Sequence, residues 1–197
     1  MKVLGCTGGI GSGKTYISHI FGKMGVPVYN SDIRAKELYE ENLPLRGKLV
    51  ELLGPEIIEN GEIRRDIMAE KIFSSPGLLQ KTEELVHPAV MEDFQLWKER
   101  QKGFSSPFVI MESALILQKS IVRGATDRVL VVSAPLQSRI ERVIRRDKTT
   151  REAVLNRMKS QMEEKKMIEM ADFTIFADGK RALLPQIINV YEVMKSL

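Results

Sequence analysis

Residues 2–16 read KVLGCTGGIGSGKTY: a short apolar run, a loop dominated by glycine, then a lysine and a hydroxyl. The segment Gly8–Thr15 fits the pattern G-x-x-x-x-G-K-[ST]. Glycines let a backbone turn tightly and point successive N–H groups at an anion with no Cβ in the way. A helix starting at Lys14 would add its free amides and the positive end of its dipole. Gly9, Gly11, Ser12, Gly13, Lys14 and Thr15 are therefore expected to cradle a nucleotide's phosphates, with Lys14 on the β- and γ-phosphates. Thr15 is the expected ligand of Mg²⁺.

The pattern has the flanks it needs. Short apolar runs at 2–7 (KVLGCT), 26–30 (VPVYN), 108–113 (FVIMES), 128–134 (RVLVVSA) and 172–177 (DFTIFA) read as strands. Their near-continuous apolarity suits parallel strands covered on both faces. After the loop, KTYISHIFGKMG spaces Ile17, Ile20, Phe21 and Met24 along one helical face and stops at Gly25. The stretch from Thr150 to Met170 reads as helical and rich in charge, and ALLPQIINVYEVMKSL closes the chain as an amphipathic helix. Alternating strands and helices predict an α/β protein built on a doubly wound parallel sheet.

Residues 33–103 break that rhythm. They hold four helical patterns, IRAKELYEEN, LRGKLVELLG, IRRDIMAEKIF and GLLQKTEELVHPAVMEDFQLWKERQ, and no convincing strand. An insertion of that size is too long for a loop. It is expected to be a helical subdomain that walls the substrate site, since ligands of open α/β sheets bind beyond the carboxyl ends of the strands.

Composition narrows the classes. The chain has 197 residues, 43% hydrophobic and 28% charged, enough for one substantial core. Thirty Lys and Arg against 26 acids leave a net charge of +4, which suits an anionic small ligand and demands no polyanion. No basic surface interleaved with aromatics and no nucleic-acid motif is present, so nucleic acid is not an expected partner. One cysteine, Cys6, excludes an internal disulfide and fits a reducing compartment. No apolar run nears the ~18 residues of a membrane span, and the first residues are no signal peptide. A cytoplasmic protein, without a membrane partner, is expected.

Among phosphate-loop proteins, a guanine-nucleotide switch would need N-K-x-D, which the chain lacks. The third strand ends in Glu112, a carboxylate able to support Mg²⁺ through water, to touch an acceptor or to cap the next turn. The second strand leads into Asp32. A carboxylate there either accepts the proton of an acceptor hydroxyl during transfer or caps the helix beginning IRAKEL. These alternatives stay open on the residues alone.

TGGIGSGKT, the strand leading to Asp32, GEIRRDIMAEKIF (61–73), LVHPAV (85–90), RVIRRD (142–147) and MADFTIF (170–176) together resemble the dephospho-CoA kinase family, across almost the whole chain. The resemblance implies a P-loop nucleoside-triphosphate-hydrolase fold with a five-stranded parallel sheet, a helical substrate-binding insertion and a helical lid. Residues 1–32 and 104–197 would form the nucleotide-binding core, with the lid at about 138–168, and 33–103 the acceptor-binding subdomain. The implied reaction is ATP-dependent phosphorylation of the ribose 3′-hydroxyl of dephospho-CoA, the last step of coenzyme A synthesis. By the same resemblance Asp32 is the base, Lys14 and Arg142 are catalytic, and Tyr16, Arg142 and Arg146 join the ATP site. Arg65, His87, Glu112, Arg157 and Gln161 are carried over as acceptor contacts. Mg²⁺ accompanies ATP, and the chain is expected to be a monomer or small homo-oligomer. Three positions depart from the family pattern: Asn30 replaces an acid, Gln118 replaces a glutamate, and Ala177 stands where an asparagine is usual.

Overall fold

The computed structural model describes residues 1–103 and 105–197; Phe104, with which the expected segment 104–197 begins, lies outside the described residues. The chain divides into two compact units, Met1–Asn30 with Lys98–Leu197, and Ser31–Trp97. The sequence reading sets the joints at 32/33 and 103/104, two and six residues further along the chain.

In the first unit, β1 (Lys2–Thr7) leads through the glycine loop into α1 (Lys14–Lys23), and β2 (Val28–Asn30) follows. The expected strand at 26–30 is shorter in the structure because Pro27 has no N–H to give; its carbonyl instead accepts from Ile110 N–H at 2.9 Å.

The Ser31–Trp97 unit is largely helical. It contains α2 (Ser31–Glu41), α3 (Leu43–Leu53), a tight hairpin of β3 (Ile58–Glu59) and β4 (Glu62–Ile63), then α4 (Arg65–Ser74) and most of α5 (Pro76–Arg100). The hairpin escapes a sequence search because each arm is only two residues long; its turn is Asn60-Gly61, both at positive φ. Leu38, Leu45, Leu49, Leu53, Ile57, Met68, Val90 and Phe94 are buried. Arg34 ties α2 to α5, donating from Nε and Nη2 to the two oxygens of Asp93 at 3.1 and 3.0 Å. Asp93 thereby holds the Arg34 guanidinium above its ordinary pKa, assisted by Glu37 and Glu41.

The remainder of the first unit is β5 (Phe108–Glu112), α6 (Ser120–Arg123), β6 (Arg128–Ser133), α7 (Leu136–Asp147), α8 (Arg151–Lys159), α9 (Glu164–Glu169), β7 (Phe173–Phe176) and α10 (Leu183–Ser196). The helical stretch expected from Thr150 to Met170 is two helices with a break at Ser160–Glu163. The sheet is parallel, in the order β2-β5-β1-β6-β7. Both faces are covered. Leu4, Cys6, Phe108, Ile110, Leu130, Val132 and Ile175 cluster with Ile17 and Phe21 of α1 and Ile187, Val190 and Met194 of α10. Their neighbours Val3, Val109, Met111, Val129 and Val131 are buried too. Each such side chain contributes roughly 1.5–3 kcal/mol by leaving water.

Aspartates fix the strand starts. Asp127 accepts from Val3 N–H through its side chain at 2.7 Å and donates its own N–H to Val3 O at 2.9 Å. Asp172 repeats the arrangement on Val129 at the same two distances. At the other end the register sets Cys6 and Asn30 level with Glu112, so three strands finish together beside the glycine loop. No helix among the described residues is long and apolar enough to cross a membrane.

Candidate active site

The loop between β1 and α1 owes its shape to its glycines and to what lies against it. Gly8, Gly11 and Gly13 have φ of 147, 77 and 103°, and Ser12 N–H closes a turn onto Gly9 O at 3.1 Å. A Cβ on Gly8 would fall 2.4 Å from Val132 O, and one on Gly11 2.4 Å from Arg139 O. Side chains at these positions would push the loop off β6 and α7. The Lys14 ammonium donates to Gly8 O at 2.9 Å, laying a cation along the loop.

Thr15 meets its partner across the sheet: its hydroxyl donates to Glu112 Oε1 at 2.6 Å. Glu112 is only 5% exposed at the end of β5, so the Thr15 hydroxyl is a principal source of its satisfaction. Two hard oxygen donors so placed suit Mg²⁺, which takes one or two protein oxygens and fills its octahedron with phosphate and water. Among the described residues no group of three or more His, Cys, Asp or Glu side chains is placed to hold a metal unaided.

The structure brings the expected nucleotide residues Gly9–Thr15 together with Glu112, Arg142 and Gln161. Arg142 Nη1 donates to Gly11 O and Ser12 O at 3.3 and 3.1 Å, and Nη2 to Ala177 O at 3.2 Å. Arg142 therefore joins α7 to the loop and to the segment after β7. Gln161 lies beyond the end of α8, and its Oε1 accepts from Ile10 N–H at 2.7 Å. Arg146 and Arg157 converge on Asp147, at 2.7 and 2.8 Å, and hold its carboxyl below the ordinary aspartate range, Arg146 contributing most. Tyr16 is exposed on α1.

Asp32, Arg65 and His87 belong to the helical unit. Asp32 is an exposed residue in the first turn of α2, which starts at Ser31. It is inside the helix instead of standing before it as the cap. Arg65 opens α4 and donates to Lys36 O at 3.2 Å. Tyr39, seven residues after Asp32 on the same face of α2, feels both: burial pushes its hydroxyl pKa up, Arg65 opposes this and Asp32 adds to it. His87 and Pro88 lie inside α5, within the helical pattern that the sequence shows at 77–101. Trp97 stacks on Phe94 with ring centroids 6.0 Å apart.

One residue at the loop, Arg139, escapes the sequence reading. Arg139 Nε donates to Ile10 O at 3.0 Å, and its Nη1 lies 3.4 Å from Glu164 Oε2. Arg139 sits three positions before Arg142 in a helix with four arginines, and nothing in its spacing sets it apart from the others. Beneath the loop Cys6 is wholly buried, and burial pushes its thiol up to about 12 against the opposing influence of the nearby Ser18 hydroxyl. It is a packed side chain with no thiolate available at neutral pH.

A family model for dephospho-CoA kinase matches residues 2–182. A dephospho-CoA kinase of Porphyromonas gingivalis is 36% identical over 197 residues, 100% of this chain and 96% of that protein. One of Bacteroides fragilis is 35% identical over 187 residues, 95% of this chain and 90% of that protein. A crystal structure of a Thermus thermophilus protein superposes with a TM-score of 0.81 at 29% identity, covering 99% of this chain and 96% of that one. With nearly its whole length matched in this way, the chain belongs to the dephospho-CoA kinase family.

Proposed function

We propose that the chain phosphorylates the ribose 3′-hydroxyl of dephospho-CoA with ATP, releasing coenzyme A and ADP, and that Asp32 is the base. Family membership supports the reaction. The observation that carries the chemistry is the phosphate loop with Lys14 along it and Thr15 bonded to Glu112.

The acceptor oxygen attacks the γ-phosphorus in line, and the bond from that phosphorus to the β,γ-bridging oxygen breaks. The hydroxyl proton passes to the Asp32 carboxylate, which stands in the first turn of α2. Lys14 and the loop N–H groups bind the β- and γ-phosphates and offset charge that grows on them. Thr15 and Glu112 are the residues that would hold Mg²⁺; when bound with the nucleotide it supplies further charge neutralisation. Arg142 orients the loop through Gly11 and Ser12, and Arg146 with Arg157 provides cations on the lid. Lid closure excludes water, which limits hydrolysis of ATP. Arg65 and His87, in the helical unit Ser31–Trp97, serve the acceptor. Asn30 stands where the family has a second acid, leaving one carboxylate for proton transfer. The buried single thiol suits the reducing cytoplasm.

The test is ADP formation by the purified chain with Mg·ATP and one acceptor at a time: dephospho-CoA, adenosine or AMP. Stimulation by dephospho-CoA alone, with coenzyme A as product, is expected. Stimulation by AMP would move the acceptor to a nucleotide phosphate, where no base is needed. ADP formation indifferent to all three would rule out the kinase reading.

A further inference from the structure

The lid segment contains two kinds of arginine, and they face different tasks. Arg142 is exposed, beside the loop carbonyls of Gly11 and Ser12. Arg139, one turn earlier on α7, is only 7% exposed, and its guanidinium is engaged on Ile10 O and Glu164. A cation so enclosed is a part of the scaffold, since burial without partners would cost several kcal/mol.

Ile10 is held from every side. Its N–H donates to Gln161 Oε1 and its carbonyl accepts from Arg139 Nε. Its side chain packs against the small cluster of Ile140, Val143 and Val154, joined by Leu155 and Met158. Glu164 completes the set, lying against Arg139 Nη1 while its other oxygen accepts from Ala134 N–H at 3.3 Å. The fit is close: a Cβ on Gly9 would lie 2.0 Å from Arg139 Nη2. Gly9 therefore admits the arginine as much as it admits a phosphate.

We propose that Arg139, Gln161 and Glu164 are positioning residues that brace the phosphate loop at Ile10, and that ATP affinity depends on them although none need touch the nucleotide. The proposal deepens the kinase reading, on which it rests for the identity of the nucleotide. A loop must present its N–H groups in one arrangement before the anion arrives, and ordering that is missing must be supplied out of binding energy. A backbone turn built largely of glycine has little intrinsic preference for that arrangement. The brace provides it from outside, through both polar groups of one residue. It also ties the loop's shape to the place of α7 and of the turn before α9, the two segments that frame α8.

The experiment measures Mg·ATP binding to the full chain by calorimetry, with no acceptor present, alongside steady-state kinetics and melting. Arg139→Met is expected to weaken Mg·ATP binding about tenfold, the scale of one lost charge-assisted hydrogen bond. The KM for ATP should rise in parallel while the KM for dephospho-CoA stays within about twofold. Arg139→Gln, which retains a donor for Ile10 O, should recover part of the loss. Glu164→Gln should weaken binding less and be non-additive with Arg139→Met, since both act through one contact.

Unchanged Mg·ATP affinity in a folded Arg139→Met protein would overturn the brace. So would a fall in apparent kcat with both KM values unaltered, the mark of a smaller folded fraction. Should Arg139→Met fail to fold, Gln161→Met decides: weaker Mg·ATP binding upholds the proposal and wild-type binding overturns it. If wild-type protein bound Mg·ATP, Arg139→Met weakened it, and dephospho-CoA were not phosphorylated, the brace would stand and the assigned acceptor would fall.

Discussion

The phosphate loop and the helical unit are held in opposite ways. The loop is fixed through its backbone: the carbonyls of Gly8, Ile10, Gly11 and Ser12 all accept from cationic side chains, and its glycines lie against β6 and α7. The helical unit is fixed through side chains, an apolar interior of Leu, Ile, Met and Phe and the four-membered network of Arg34, Glu37, Glu41 and Asp93. A backbone-held site tolerates almost no change of residue at its glycines. A side-chain-held scaffold tolerates exchange wherever volume and charge are conserved. Specific chemistry beside an interchangeable scaffold is the expected outcome of that pairing.

The comparison breaks most sharply at Asp32, the proposed base, which belongs to the helical unit. Asp32→Asn should retain Mg·ATP affinity in calorimetry and lose about 10²–10⁴-fold in kcat. Near-normal turnover would remove the base from the mechanism and make Asp32 an ordinary first-turn acid, worth a few tenths of a kcal/mol to the helix dipole.

Next comes the loop itself. Gly11→Ala puts a Cβ 2.4 Å from Arg139 O on a residue with φ of 77°. The expected cost is about 2–3 kcal/mol, a melting decrease of roughly 5–10 °C. Gly25→Ala is the control: φ is 86° but nothing lies within 4 Å, so only about 1 kcal/mol of backbone strain is expected. Equal losses from the two would mean that conformation alone, without close approach, determines the glycines.

How much was legible follows the same line. GGIGSGKT declares itself because each residue type answers to one physical need of a phosphate, whatever surrounds it. The five strands were legible because parallel strands buried on both faces must be apolar throughout. The β3–β4 hairpin was not, since two-residue arms carry no periodicity, whereas the helical pattern of 77–101 shows through Pro88 because proline's cost in a helix is local while the support of a 25-residue helix is not. Arg139 was hidden for another reason. Sequence shows that an arginine is present, and only the fold shows whether it turns to solvent, to phosphate or to a carbonyl beneath it.

The helical unit gives a smaller effect. Arg34→Met leaves Asp93 with a side chain 16% exposed and without its bidentate partner. A loss of about 1–3 kcal/mol in urea unfolding is expected, with the Mg·ATP dissociation constant unchanged. A shift in nucleotide affinity would show that the two regions are less independent than their separate means of support imply.

The smallest effect is at the end of α7. Arg146 and Arg157 depress the Asp147 pKa from its ordinary value of 3.8, so the stability this pairing gives is present above pH 3.8 and is lost as the pH falls below it. At neutral pH Asp147→Asn should cost under about 1 kcal/mol, as exposed pairs do. Melting curves recorded between pH 7 and pH 2 should separate the variant from wild type at the upper end and bring them together in acid. A constant separation would mean that Asp147 acts through its shape and not its charge.

Cys6 has a use that its chemistry at rest conceals. Its sulfur is enclosed on the central strand of the sheet, directly under the phosphate loop, and it is the one thiol of the chain. A disulfide reagent can reach it only when β1 parts from its neighbours, so the labelling rate counts openings of the catalytic unit's own centre. Under native conditions at pH 8 the thiol should stay silent, and a nucleotide that fastens the loop should slow the clock further. The molecule thus carries a gauge of its most protected region, readable without a denaturant or an added probe site.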